Sequence, residues 1–246
     1  MAVGFDGVDD YLAYPDNAAI NPGSGAFTLL CRAWFEADAT GTHLLIVKGN
    51  SSGGTGGGKR YQLFQRDVGG LNDVRFEVDD ATPKNEITGS ITQGQWESLI
   101  AVVPAAGSIE LFVNGSSQGT VTRTVGNIDQ TETLKFGAGP TSGDVVTNFW
   151  QGRMADVTFV KRAITADERA VYDAGYSGLF LRPDFHAPLI RDRGDVVAGL
   201  GATATSAPTV PAHPPVRMPS RLQVGLPSAA PPVVQPLPGA LMMVGI

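Results

Sequence analysis

The sequence predicts an all-β protein: an antiparallel two-sheet sandwich with one short helix, followed by an extended proline-rich C-terminal arm. Three observations carry that reading. Apolar and polar residues alternate in short runs, the period of a strand with one buried face, and turn residues divide the runs roughly every 8–15 residues. The composition, with 31 glycines and 42% hydrophobic residues, suits strands and turns around a full core. The prolines are unevenly placed, with 12 of the 17 lying from Pro183 onward.

The elements follow in order. FDGVDDYL, Phe5 to Leu12, reads as an opening strand, and AFTLLCRAWF, Ala26 to Phe35, as a long alternating one. HLLIVKGN, from His43, is a strand ending in a Lys-Gly turn, and Gly53 to Gly58 is a glycine-rich loop tip. YQLFQ and VRFEV come next. ESLIAVV and IELFV then lead into Asn114-Gly115, a strong hairpin turn signal. TLKFGAG is a further short strand. GRMADVTFV then runs into TADERAVYDAG, the single predicted helix. Thr165 with Glu168 three residues on forms a capping box, and Gly175 suits a left-handed C-terminal cap. No internal repeat is visible.

Phe149 to Gly175, FWQGRMADVTFVKRAITADERAVYDAG, resembles the closing strand and helix of concanavalin A-like, laminin G-like domains. Family members read F-x-G-x-I-D-E-V-R-I-Y-N-R-A-L-S; Gly152, Asp156, Val157 and Arg162 to Thr165 match, and Ala155 replaces the first acid. The opening strand, AFTLLCRAWF, the Lys-Gly turn, QWESLIAVV and SIELFVNGSSQG also resemble family segments, in family order. The resemblance implies a jelly-roll sandwich over about the first 175–180 residues. It does not imply one function, because this sandwich carries lectins, glycanases, adhesion modules and virus-particle proteins.

The formal net charge of −6 does not suggest a nucleic-acid partner. No run of 18 apolar residues could insert in a membrane. The one cysteine, Cys31, lies in an apolar strand and reads as a small buried hydrophobe. No leader precedes the first strand, so synthesis and folding in a reducing cytosol are expected; a mature extracellular domain is the alternative.

The organisation expected is a sandwich over 1–180, a transition segment over 181–206 with candidate short strands at FHAPLI and DVVAGL, and an assembly arm over 207–246. The arm holds no acid and only two charged residues, Arg217 and Arg221. All 24 acidic residues belong to the body. Its apolar side chains, among them Val216, Met218, Leu222, Val224, Leu226, Leu237, Leu241, Met242 and Ile246, would be an aggregation liability in water. The arm is therefore expected to lie on a neighbouring subunit rather than fold back on its own sandwich.

Candidate chemistry is sparse. Glycanases of this fold use E-x-D-x-x-E on one strand, which sets paired carboxylates on one face. Glu36 and Asp38, and Glu77 and Asp79, supply E-x-D; Gly41 and Thr82 stand where the completing Glu is needed. No catalytic residue and no cofactor are therefore assigned. His43, His186 and His213 lack partners at metal spacing and read as structural. Calcium is the one ion weighed, because some relatives hold it through loop carboxylates. The candidates are Asp6, Asp9, Asp10, Asp79, Asp80 and Asp144, though paired aspartates also serve as turn caps. A glycan site needs an exposed aromatic platform beside amides or carboxylates. Trp34 and Trp96 match core strands and are expected buried; Tyr61 and Trp150 are the platform candidates.

The reading is a non-enzymatic structural or adhesive component of a virus particle, such as a phage capsid decoration, fibre or tail protein. Its partners would be other virion subunits, copies of itself and a cell-surface glycan. A bacterial carbohydrate-binding or adhesion module is the alternative, and a glycanase the third class. Cys31 shares its face with Phe27, Leu29 and Phe35, so its thiol is expected to label slowly in native protein and fast after unfolding. Rapid labelling of the native protein would show the strand register to be wrong.

Overall fold

The computed structural model describes residues 2–36, 41–49, 58–67, 72–80, 85–122, 126–140, 146–189, 194, 196–206, 208–209 and 214. In chain order the strands are β1 (Val3–Asp6), β2 (Tyr11–Tyr14), β3 (Phe27–Phe35), β4 (Gly41–Gly49), β5 (Lys59–Asp67), β6 (Asn72–Asp80), β7 (Asn85–Ser90) and β8 (Trp96–Val103). There follow β9 (Ser108–Val113), β10 (Ser116–Thr122), β11 (Leu134–Phe136), β12 (Gly139–Pro140), β13 (Val146–Thr147) and β14 (Gln151–Val160). Helix α1 (Ala166–Asp173) precedes β15 (Phe185–Ala187) and β16 (Thr203–Thr205).

Two seven-stranded antiparallel sheets form a jelly-roll sandwich, as expected. Sheet A runs β1-β14-β3-β8-β9-β10, with β15 also on β14. Sheet B runs β16-β2-β11-β4-β5-β6-β7. The opening segment read as one strand is two. The chain leaves sheet A after Asp6, turns at Gly7 with φ +80°, and enters sheet B at Tyr11.

The core lies between the sheets. Phe27, Leu29, Cys31, Ala33 and Phe35 of β3 face it, and the period-2 pattern of that strand is realised along its full length. Phe27, Tyr61 and Phe159 pack with ring centroids 5.3–5.4 Å apart. Cys31 is buried and unpaired, and burial pushes its thiol pKa well up.

β14 positions everything on the far side of sheet A. Ala155 pairs with Arg32 and Thr158 with Leu30, so Asp156 and Val157 together oppose Cys31 in a bulge. Asp156 takes a left-handed φ of +55°, a region that Asp tolerates better than most residues. Before the bulge β14 pairs with β1; after it, with β15.

Helix α1 lies on the outer face of sheet A. Its capping box forms as predicted, with the Glu168 amide donating to Thr165 Oγ1 and the Thr165 amide to Glu168. Gly175, φ +97°, closes it in a Schellman arrangement: its amide donates to Tyr172 O and that of Tyr176 to Val171 O. Tyr172, Ile164 and Leu181 pack on Leu30, Ile100, Val102, Phe112 and Val160.

The region after 180 belongs to both sheets. FHAPLI supplies β15 to sheet A. DVVAGL is irregular where described, and sheet B instead gains β16 from Thr203–Thr205. The described arm residues, Pro208, Thr209 and Pro214, lie on this chain's own sandwich. Thr209 bridges Gly4 in both directions at 2.9 and 3.1 Å, and Pro208 and Pro214 are buried. The arm positions Val216, Met218, Leu222, Val224, Leu226, Leu237, Leu241, Met242 and Ile246 lie outside the described residues.

Asp156 is 2% exposed, and burial pushes its carboxyl pKa up to about 6 against the opposing pull of the Ser177 hydroxyl and Arg32. The native state therefore holds this proton more tightly than the unfolded chain. Its stabilising contribution, about 3 kcal/mol, is complete below about pH 4 and is lost as pH rises through about 6. Asp156→Asn is expected to remove that slope from stability measured by denaturant titration at pH 4, 5.5 and 7. An unchanged slope would refute the assignment.

Candidate functional site

Sequence reasoning offered Tyr61 and Trp150 as exposed platforms, and the structure corrects both. Tyr61 is 1% exposed, its hydroxyl donating to Ile20 O at 3.0 Å, and Trp150 is 0% exposed, its Nε1 donating to Gln65 at 3.1 Å. The residues expected inside are the accessible ones. Trp34 and Trp96, paired across β3 and β8, point away from the core and are partly exposed, with rings T-shaped at 6.1 Å. The reason is register. β3 sends Phe35 inward, which turns its neighbour Trp34 outward.

Trp96 opens onto a cleft of about 460 Å³ lined by Arg32, Trp96, Glu97, Ser98, Asn114, Asp173, Ala174, Gly175 and Pro214. Four structural features converge there. β8 brings the indole, Glu97 and Ser98. The β9–β10 turn brings Asn114, which takes φ +48° with Gly115 at +76°, the mirror-image turn that Asn-Gly favours. The end of α1 brings Asp173. β3 brings Arg32.

These polar groups hold one another in place. Ser98 Oγ donates to Asp173 at 2.5 Å, and the Ser98 amide donates to Asn114 Oδ1 at 2.8 Å. Asn114 Nδ2 donates to Glu97, whose other oxygen accepts from the Thr92 amide at 2.9 Å and Gln95 at 3.0 Å. Burial raises the Asp173 pKa, opposed by the Ser98 hydrogen bond. Arg32 donates to Tyr172 O and Tyr176 O and lies 4.4 Å over the Tyr172 ring. The result is a preorganised rim of carboxylate, amide and hydroxyl beside one indole.

The buried neighbour of this cleft is a closed network. Asp156 accepts from Ser177 Oγ at 2.7 Å and the Gly178 amide at 3.1 Å, and lies 3.8 Å from Arg32. Thr158 Oγ1 lies 2.9 Å from His186 Nδ1, and His186 Nε2 lies 3.7 Å from Asp156. A hydroxyl, an imidazole and a carboxylate in sequence have the composition of a nucleophilic triad. Each is at most 2% exposed, so no external substrate reaches them. His186 is thus structural, as read. His43 Nδ1 is bonded to Phe149 O, and His213 lies outside the described residues.

Asp6, Asp9 and Asp10 place their oxygens within 4.8 Å of one another, at the crossing between sheets. Much of their capacity serves the turn. Asp6 accepts from the Val8 and Asp9 amides, and Asp10 from the Asp6 amide. The Val8 amide above all holds the Asp6 pKa low. Calcium wants six to eight oxygens, so these three carboxylates do not by themselves make a site. Asp79 and Asp80 are not brought to them; Asp79 faces Arg60 at 3.8 Å and Asp80 accepts from the Gly126 amide. Asp144 lies outside the described residues.

The two E-x-D runs are ion-paired. Glu36 meets Arg153 at 3.1 Å, and Glu77 is gripped by Arg60 at 2.5–2.6 Å. Asp38 lies outside the described residues. Glu77 and Asp79 lie on β6 with Arg75, which sits between Asp73 and Glu86.

Comparison with known families decides the kinship. A family model described as the concanavalin A-like lectin/glucanases superfamily matches residues 6–168. The chain belongs to this superfamily. Curated proteins give no match. Among solved structures it is similar to a heptameric SAP-like pentraxin of Limulus polyphemus, at 17% identity and TM-score 0.60, covering 85% of this chain and 93% of that one. A putative carbohydrate-binding protein of Bacteroides ovatus aligns at 13% identity and TM-score 0.57, over 84% of this chain and 60% of that one. The CBM40 of a Ruminococcus gnavus IT-sialidase, bound to α2,3-sialyllactose, aligns at 12% identity and TM-score 0.53, over 70% and 96%. At these identities the likeness is one of fold.

Neither E-x-D has its completing Glu, and Glu36 and Glu77 are each engaged by an arginine. The purified protein is accordingly expected to release no reducing sugar from β-glucan. Release that disappears with Glu77→Gln or Glu36→Gln would show a functioning pair.

Proposed function

We propose that this superfamily member is a non-enzymatic glycan-binding module, with the sugar held in the cleft beside α1. One observation carries the reading: a partly exposed indole, Trp96, converges with Glu97, Asn114, Ser98 and Asp173 in a cleft of about 460 Å³. A sugar ring has an apolar C–H face and a polar rim. The indole suits the first, and carboxylate, amide and hydroxyl suit the second. The volume falls within the ordinary range of small-molecule sites, about 300–1,000 Å³. The rim is preorganised by its own hydrogen bonds, so little ordering entropy opposes binding. Two similar structures, the putative carbohydrate-binding protein and the CBM40 bound to α2,3-sialyllactose, are in keeping with this reading.

A place in a virus particle is a second reading. It is favoured by the apolar, acid-free sequence of 207–246, which suits contact with capsid or tail subunits or with further copies of the chain. None of the comparisons points to a virus. Neighbouring genes for a capsid or portal protein would decide between a particle component and a free bacterial adhesion module.

A glycan array followed by calorimetry tests the site. At least one oligosaccharide is expected to bind, and Trp96→Ala to weaken it about tenfold or more, the equivalent of about 1.4 kcal/mol. Tyr61→Phe, deep in the core, serves as the control. Equal binding by Trp96→Ala and the parent protein would remove the sugar from this cleft.

A further inference from the structure

Arg153, Trp34 and Trp96 stand in register on three neighbouring strands. β14 sets Arg153 opposite Trp34 of β3, and β3 sets Trp34 opposite Trp96 of β8. Met154 and Phe35, their chain neighbours, turn into the core, so Arg153 and Trp34 rise with Trp96 from the outer face of sheet A. The Arg153 guanidinium lies 5.1 Å from the centre of the Trp34 ring, and that ring meets Trp96 at 6.1 Å, edge to face. The row spans two strand spacings, roughly 10 Å, and ends in the cleft that Trp96 lines. That is about the span of a disaccharide.

The same guanidinium meets Glu36 at 3.1 Å, and each of the two side chains is 34% exposed. An ion pair this open contributes little. The indole does more: stacking fixes the plane of the guanidinium while leaving its in-plane N–H donors clear of the ring. A guanidinium has five such donors, more than one carboxylate takes. The other arginine of the site, Arg32, is buried and donates to the carbonyls of Tyr172 and Tyr176. Arg153 is thus the accessible cation of the row, placed where a second sugar unit would follow the one on Trp96. We infer that the site extends from the cleft across Trp34 to Arg153, and that it takes an acidic oligosaccharide whose carboxylate or sulfate pairs with this guanidinium. The inference rests on the glycan reading above and names its ligand class. Two anionic oxygens match the guanidinium fork, which a neutral hydroxyl does not. Trp34 is the positioning residue that holds the fork. The chain carries a net charge of −6, so its overall field does not draw in an acidic glycan, and a preference for one has to come from local pairing.

Matched oligosaccharides test this on the full-length chain: each neutral glycan beside the same glycan carrying one carboxylate, and beside the same glycan carrying one sulfate. The best-bound members are expected to be acidic, held about tenfold or more tighter than their neutral parents. The carboxylate and sulfate arms show which anion the fork prefers. Arg153→Gln is expected to bring the acidic-to-neutral ratio to within about twofold of one. Glu36→Gln, which frees the guanidinium, is expected to raise that ratio. Arg66→Gln removes the same charge from β5 on the other sheet and is expected to leave the ratio as in the parent protein. Neutral glycans that bind through Trp96 with no gain from an acid, or a gain that survives Arg153→Gln, would overturn the extension and leave the glycan reading standing. Binding of no glycan, neutral or acidic, would sink both. If Arg153→Gln fails to fold, Arg153→Lys decides: it keeps the charge without the fork, and an undiminished ratio would overturn the role of the fork.

Discussion

The bulge at Asp156 is the constraint on which the outer architecture of sheet A depends. Without the extra residue, β14 would keep one alternation throughout, and either Met154 or the Val157 and Phe159 pair would face away from the core. With it, both halves of the strand face inward, and Asp156 reaches the other side. There its carboxylate meets the turn after the helix, through Ser177 and Gly178, and the guanidinium of Arg32. A buried carboxylate is costly, and its raised pKa expresses that cost. The hydrogen bonds from the turn offset part of it and fix where α1 ends.

The end of α1 is also the rim of the cleft. Arg32 ties the strand beneath the helix to the carbonyls of Tyr172 and Tyr176, and Asp173, one residue on from Tyr172, takes the Ser98 hydroxyl. The groups that seat the helix thus also set the geometry of the candidate site. Neither the rim nor the helix seat moves independently of the other.

Among the described residues, several acids are engaged by partners within the fold. Glu36, Glu77 and Asp79 face guanidinium groups, Asp6 and Asp10 cap a turn, and Asp80 holds a loop amide. Cross-strand register sets Arg60 opposite Asp79, whereas the closer contacts of Arg60 with Glu77 and of Arg75 with Glu86 are diagonal ones. A sequence can show an E-x-D, but only pairing reveals which base faces it.

Much of the fold was legible because local rules and tertiary context agree. The alternation of β3, the Asn114-Gly115 turn, the capping box of Thr165 and Glu168, and the cap at Gly175 each act within a few residues, where spacing alone dictates geometry. The uneven spacing of Met154, Val157 and Phe159 already held the signal of the bulge. The site was not legible. Trp34 and Trp96 look like core residues by hydrophobicity, and Tyr61 and Trp150 like polar-tipped surface ones. Which face of a strand meets the second sheet is decided by packing between strands distant in sequence. The same holds for the tail: composition marked 207–246 as apolar, but only the fold shows Thr209 bridged to Gly4, more than 200 residues away. The sequence determined most of the sandwich strands, the helix with its caps, and the acidic body. Only the tertiary structure decided which tryptophans are accessible, which carboxylates are ion-paired and what lines the cleft, because those depend on contacts that no local period encodes.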